Sequence, residues 1–139
     1  MDQDLDPDPA AFLTKALGEV CFGREDTHPL EATVDLYFSP DYEQRTDGEV
    51  TDRAGFVAHV RALRSLVVDG RIEVLEAMRV GERVADRHRV TVTKSDGSTS
   101  EIEVFLFGTL DPEGRLRRVD EVTRVAVGHA DDAVLAWAT

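Results

Sequence analysis

The sequence predicts an α+β chain, with helices gathered toward the N-terminal side and a run of long strands after them. Two observations carry that expectation. Up to Gly70 the apolar residues recur mainly at three- and four-residue spacing, in segments opened by cap residues and closed by glycine or proline. Beyond it, β-branched residues concentrate in long segments separated by Ser95-Asp96-Gly97-Ser98 and Asp111-Pro112-Glu113-Gly114, both turn signatures. Consecutive strands with no helix between them must bury one face, and the upstream helices offer the apolar surface for it.

Taken in order, Asp8-Pro9 opens the first helix, a carboxylate cap followed by proline in the first turn. Phe12, Leu13, Ala16, Leu17, Val20 and Cys21 form one apolar stripe, which Gly23 ends. Thr27-His28-Pro29 opens a second helix with Leu30, Val34, Tyr37 and Phe38 on one face; His28 reads as a capping or exposed residue. Ser39-Pro40 stops that helix, because the residue before proline avoids helical angles. Asp41 to Asp47 is too polar for a central strand, so a short edge strand is expected, with Tyr42 pointing inward and Asp47-Gly48 as its turn.

Asp52 caps a third helix, Arg53 to about Val68, with Phe56, His59, Val60, Leu63, Leu66 and Val67 on its apolar side. Asp69-Gly70 is expected to close it. Four strands complete the chain: Arg71 to Val80, Val84 to Thr93, Ile102 to Leu110 and Leu116 to Val127. The domain expectation is a flexible acidic tail over 1–8, a single domain over 9–127 and a C-terminal extension over 128–139.

With 139 residues the chain has room for one domain and one core. A net charge of −12 opposes nucleic acid and anionic membrane as partners, since their phosphates would be repelled. Asp2, Asp4, Asp6 and Asp8 read as a solvated arm. A single cysteine, Cys21, excludes an intramolecular disulfide, fits a reducing compartment and reads as a buried spacer. No signal peptide or membrane span is visible, so a cytoplasmic protein is expected. There is no phosphate-binding glycine loop, serine elbow or zinc-type cysteine spacing, and neither metal nor cofactor is expected.

Candidate chemistry follows from strand alternation. If the face bearing Phe105, Phe107 and Val119 lines the interior, Arg87, Glu103 and Glu121 enter it together. A buried Glu beside an Arg is a structural ion pair or, with its pKa raised by burial, a general acid or base. Arg87 would hold Glu121 ionised, whereas a neighbouring Glu103 would keep one proton on the acid pair. His59 could carry protons or serve as a hydrogen-bonded core residue, and Tyr42 could donate to a ligand oxygen or simply pack. If the parity is reversed, Asp86, His88 and Asp120 enter instead, and a metal or acid–base reading follows.

In layout the chain resembles the nuclear transport factor 2-like superfamily, in particular its SnoaL-like (polyketide cyclase-like) branch. The resemblance covers roughly residues 10 to 127 and rests on order and spacing: Tyr37-Phe38-Ser39-Pro40-Asp41-Tyr42, the Phe56 to Leu66 helix, Gly81-Glu82-Arg83-Val84-Ala85, and Gly114-Arg115-Leu116 opening the last strand. It implies a curved antiparallel sheet wrapped as a cone around three helices, with an internal cavity, and a homodimer formed through the sheet. Epoxide-hydrolase and cyclase members carry an acid a few positions into the last strand, where this chain has Glu121, and an arginine placed similarly to Arg87. The hydrolase pattern also wants a carboxylate two residues after that arginine, where this chain has Arg89. The steroid-isomerase acid would fall near Thr46 or Asp47, without a clear counterpart.

Two functions are therefore expected. The first is a cavity protein binding a mostly apolar, polyketide-like small molecule, with cofactor-free isomerase, cyclase or hydratase chemistry. Its candidate catalytic residues are Glu121, Arg87 and Glu103, with His59, Tyr42, Phe105, Phe107 and Val119 contacting the ligand. The second is a non-catalytic dimeric adaptor whose cavity is plugged by its own large side chains, with Trp137 in a C-terminal cap or reaching a neighbour.

Overall fold

Helix α1 spans Pro9–Phe22, and the chain starts it as the sequence dictates: the Asp8 carboxylate accepts from the Ala10 backbone N–H, and proline stands in the first turn. The computed structural model describes residues 8–24, 26 and 29–136. His28, expected at a helix start, and Trp137, expected to cap or cross, lie outside the described residues. Helix α2 is Leu30–Tyr37 and helix α3 is Arg53–Leu66, the latter capped by Asp52, which accepts from Gly55 N–H at 2.9 Å.

The strands are β1 Phe38–Thr46, β2 Glu49–Asp52, β3 Val67–Val80, β4 Arg83–Lys94, β5 Thr99–Leu110 and β6 Leu116–Val127. They form one curved six-stranded sheet in the order β2-β1-β6-β5-β4-β3. A short 3-10 helix, Ala130–Ala136, follows β6, and Asp132 ties it back by accepting from Lys94, Ser100 and the His129 N–H.

The α+β expectation holds, with three corrections. The sheet is mixed, because β1 runs parallel to β6. The strand expected at the edge is flanked on both sides, by β6 and by the hairpin partner β2, which is the actual edge. Its charges lie on one face only: Tyr42, Gln44 and Thr46 are buried while Asp41, Glu43 and Arg45 face out. Finally, Asp69-Gly70 does not close α3. That helix stops at Leu66, and both residues lie in β3, where the register slips between Val67 and Asp69.

The core sits between the inner face of the sheet and the helices. Leu13, Leu17 and Val20 of α1 and Phe56, Val60 and Leu63 of α3 meet Val90, Val92, Ile102, Val104, Leu106, Leu116 and Val119 of the sheet. Each such side chain stabilises the fold by about 1.5–3 kcal/mol relative to exposure. Arginines on α3 fix the helices. Arg53 donates to the Phe38 and Ser39 carbonyls, and Arg64 donates to the Val20 and Glu19 carbonyls at the C-terminal end of α1.

Candidate functional site

Which residues look inward is decided by register. Asp86 of β4 pairs with Leu106 of β5, and Leu106 pairs with Glu121 of β6, which in turn pairs with Thr46 of β1. Even-numbered residues of β4 and β5 therefore share a face with odd-numbered residues of β6. The burial along each strand agrees: Val84, Asp86, His88, Val90 and Val92 on β4 are buried, as are Ile102, Val104 and Leu106 on β5 and Val119 and Glu121 on β6.

This settles where each candidate stands. Glu121, Val119 and Tyr42 are interior. Arg87, Glu103, Phe105 and Phe107 are not: all four lie on the outer face of the sheet, so the expected meeting of Arg87, Glu103 and Glu121 does not occur. The reason is that a single-residue offset between strands inverts every side chain, and β5 and β6 pair even against odd. Glu103 instead accepts from Arg124 at 2.9 Å and from Arg87 at 3.2 Å. The reversed-parity set is brought in only partly. Asp86 and His88 are buried, whereas Asp120 faces out, 3.6 Å from Arg45. His59 is half-buried, flanking the buried stripe of α3.

The interior thus holds a polar group made of Glu121, Asp86, His88 and a chain along β1. The His88 ring is fully buried, with Nδ1 2.9 Å from both Asp86 carboxylate oxygens. An ionised carboxylate only accepts, so Nδ1 is the donor of this pair and Nε2 is the ring nitrogen left over. On β1, Tyr42 donates to Gln44 at 2.7 Å and Gln44 donates to Thr46 at 3.0 Å, ending opposite Glu121.

Neither Glu121 oxygen, nor His88 Nε2, has a hydrogen-bond partner among the described residues. Burial raises the Glu121 pKa well above the usual carboxylate range, and the negative charges of Asp86, Asp47 and Asp120 raise it further. Burial and Glu121 likewise raise the Tyr42 hydroxyl and the Cys21 thiol, so Cys21 is an inert spacer beside the acid. Asp47 grips the strand next to Glu121: its N–H donates to the Glu121 carbonyl at 3.0 Å, and its carboxylate accepts from the Thr123 N–H and hydroxyl. Among the described residues no group of three or more His, Cys, Asp or Glu is placed to hold a metal ion. No helix among them is long and apolar enough to cross a membrane.

A cleft of about 790 Å³ opens beside this interior, where the C-terminal ends of α1 and α3 meet the start of β3. Cys21 belongs to its lining and is also close enough to Glu121 to feel its charge.

The arrangement is an α+β cone, and comparison with known proteins agrees on that fold. No family model matches the chain. A candidate isomerase from Rhodopseudomonas palustris shares the fold with a TM-score of 0.67, at 13% identity over 86% of this chain and 91% of that one. AclR, a candidate hydroxylase from Streptomyces galilaeus, gives 0.65 at 17% identity over 82% of this chain and 86% of its own. A Catenulispora acidiphila protein of ketosteroid isomerase-like fold, solved with trimethylamine, gives 0.65 at 10% identity over 94% of each chain. The chain has the nuclear transport factor 2-like fold, as the resemblance in its sequence implied. By sequence it belongs to one family with an uncharacterized protein of Schizosaccharomyces pombe, 31% identical over 99 residues, which are 71% of this chain and 75% of the yeast protein.

Proposed function

We propose that this protein binds a mostly apolar small molecule between its sheet and helices and moves a proton on it without a cofactor. Glu121 is the acid, and His88, oriented by Asp86, is the base. One observation carries the reading: Glu121 and His88 are buried on one face of the sheet, and their working atoms have no partner among the described residues. A buried polar atom without a partner costs about 1–3 kcal/mol, so its retention points to use. The raised pKa keeps Glu121 protonated toward neutral pH, as a general acid needs, while Nε2 is an available lone pair. The Tyr42-Gln44-Thr46 chain ends at Thr46, the strand partner of Glu121, and supplies polar groups on that side of the interior. The fold neighbours named as a candidate isomerase and a candidate hydroxylase fit such use of the fold.

The experiment is hydrogen–deuterium exchange at the α-carbon of 2-tetralone in D2O, followed by NMR. Exchange faster than in buffer, lost in Glu121→Gln and slowed in His88→Gln, is expected. An equal rate in Glu121→Gln would remove Glu121 from the reaction.

A second reading, the plugged adaptor, is favoured by one specific observation. Phe38, Tyr42 and Phe56 pack ring against ring, with centroids 4.8–5.0 Å apart, and fill the space between β1 and α3. In either reading we propose that two copies pair through the outer sheet face. Phe107 there is 68% exposed and Met78 63%, and the row Met78–Ala85–Phe107 crosses three strands.

A further inference from the structure

The turn between β1 and β2 consists of Asp47 and Gly48, with Thr46 paired to Glu49 across it. Both residues have positive φ, +50° and +90°, the pattern of a tight hairpin turn that matches the twist of its strands. Asp47 is the one non-glycine in that conformation among the described residues. Glycine would adopt it freely, so a side chain is kept here against the easier choice. That side chain reaches across to β6. The ladder between β1 and β6 ends at the Thr46–Glu121 pair, where β1 turns away into its hairpin. Asp47 takes over from the strand: its N–H donates to the Glu121 carbonyl at 3.0 Å. One carboxylate oxygen accepts from the Thr123 N–H at 2.9 Å, and the other from the Thr123 hydroxyl at 2.5 Å. The Glu121 carbonyl and the Thr123 N–H, which bracket Val122, are thus held by one residue.

We propose that Asp47 is the positioning residue of Glu121: from the β1–β2 turn it clamps β6 at the acid, and the clamp keeps the Glu121 carboxyl aimed into the interior. This rests on Glu121 being the working acid of the proposed function. Position matters because side chains alternate along a strand, so a slip of β6 at this point turns the acid outward. The strand is prone to such slips. It shifts its pairing with β5 on both sides of Glu121, between Leu116 and Arg118 and again between Val125 and Val127. From Thr123 onward β1 no longer accompanies β6, and the Asp47 carboxylate supplies the acceptor that a neighbouring strand would have given.

The charge of Asp47 works in the same direction. Burial raises the Glu121 pKa first, and the carboxylates of Asp86, Asp47 and Asp120 raise it further. The other titratable groups around the acid are His88 of β4, Tyr42 of β1 and Cys21 of α1, while β5 and α3 turn apolar side chains inward. Asp47 itself is exposed, so it acts through Glu121 and not on a ligand in the interior. A residue that merely closed a turn would need neither the carboxylate nor the reach to Thr123.

The test is a carbon NMR titration of the full chain labelled at the glutamate carboxyls, with Glu121→Gln to assign the signal. In the parent protein Glu121 should titrate well above the ordinary value of about 4.3. Asp47→Gly keeps the turn and removes the clamp, so the midpoint should fall by at least about one pH unit. The Thr123 amide should then exchange with solvent at least about tenfold faster. Asp47→Asn can still accept from the Thr123 N–H, but it has no charge and only one acceptor oxygen. It should keep most of the amide protection and lower the midpoint by at least about 0.5 pH unit. An unshifted midpoint in Asp47→Gly, even with a lower Tm, would mean a turn cap alone and overturn the proposal. If Asp47→Gly does not fold, Asp47→Asn decides, and an unshifted midpoint there overturns it. A parent midpoint near about 4.3 removes the buried acid, and with it both this proposal and the proposed function. If the midpoint is high and falls in the variants while tetralone exchange is absent, the positioning role stands and only the chemistry falls.

Discussion

Glu103 and Glu121 are the same residue type on neighbouring strands of one sheet, and the sheet gives them opposite states. Glu103, on the outer face, is held below the usual carboxylate range, first by Arg124 and then by Arg87. It sits in a ladder where acids and arginines alternate across strands, with Glu73, Arg89 and Arg124 in its own row. Glu121, on the inner face, has no hydrogen-bond partner among the described residues and is pushed up, first by burial and then by Asp86, Asp47 and Asp120. The outer face uses charge to fasten the strands together. The inner face keeps a carboxyl at a cost in stability, and the proposed function rests on that contrast.

The sharpest break of this comparison is pH dependence. A carboxyl raised above its unfolded value weakens the fold as pH climbs from about 4.3, by about 1.4 kcal/mol per pH unit, until the folded group itself ionises. Glu121→Gln has no proton to lose, so the variant should be more stable than the parent at neutral pH and equal to it near pH 4. For a chain of this size each kcal/mol moves Tm by about 2–8 °C, and the gap should widen from pH 5 to pH 7. Thermal unfolding across that range checks it. A parallel pair of curves would mean that the carboxyl is not held protonated inside.

Helix starts, turns and the α+β class were legible because each depends on local chemistry: Asp8 and Asp52 cap where their sequence context requires. Only the faces expected of β4 and β5 are inverted: Val119 and Glu121 of β6 do look inward, but on β5 it is the aliphatic run Ile102, Val104, Leu106 that is buried, with Phe105 and Phe107 outside. The sequence held a further signal. Leu116 and Val119 are both buried but three apart, with exposed Arg117 and Arg118 between them, and strict alternation cannot bury both. A register slip must lie there, and the structure has one, between the Thr109–Arg118 and Leu110–Leu116 pairs. Finding it predicts that even residues of β5 face odd residues of β6, which brings Asp86 and His88 in with Glu121. The parallel pairing of β1 with β6 had no local signature, since it joins segments far apart in the chain.

A second break is on the outer face. If Phe107 marks a surface where a second copy docks, Phe107→Glu places a charge in an apolar contact and should raise the dimer dissociation constant at least about tenfold, a loss of about 1.4 kcal/mol or more. Sedimentation velocity over a concentration series reads this directly. The fold itself should be untouched, because Phe107 is already 68% exposed. A monomer in both proteins would remove the paired-copy proposal and leave the inner face unaffected.

The smallest effect is expected at Glu103. Its carboxyl is held low by arginines, so its contribution has the opposite sign to that of Glu121: present above the unfolded carboxyl value and lost as pH falls through the folded one. Glu103→Gln should therefore cost a little stability at pH 7 and nothing in acid, the mirror image of Glu121→Gln. The cost is small because Arg124 is 67% exposed and Arg87 36%, and solvent screens both pairs. In about 1 M salt, where the screening length is about 3 Å, the difference should fade, whereas the Glu121 effect should persist because no counter-ion reaches a buried carboxyl. Unfolding curves of the two variants at low and high salt, each at pH 4 and pH 7, separate the faces. If Glu103→Gln proved as salt-resistant as Glu121→Gln, the outer ladder would have to be shielded from water, as it would be under a second copy of the chain.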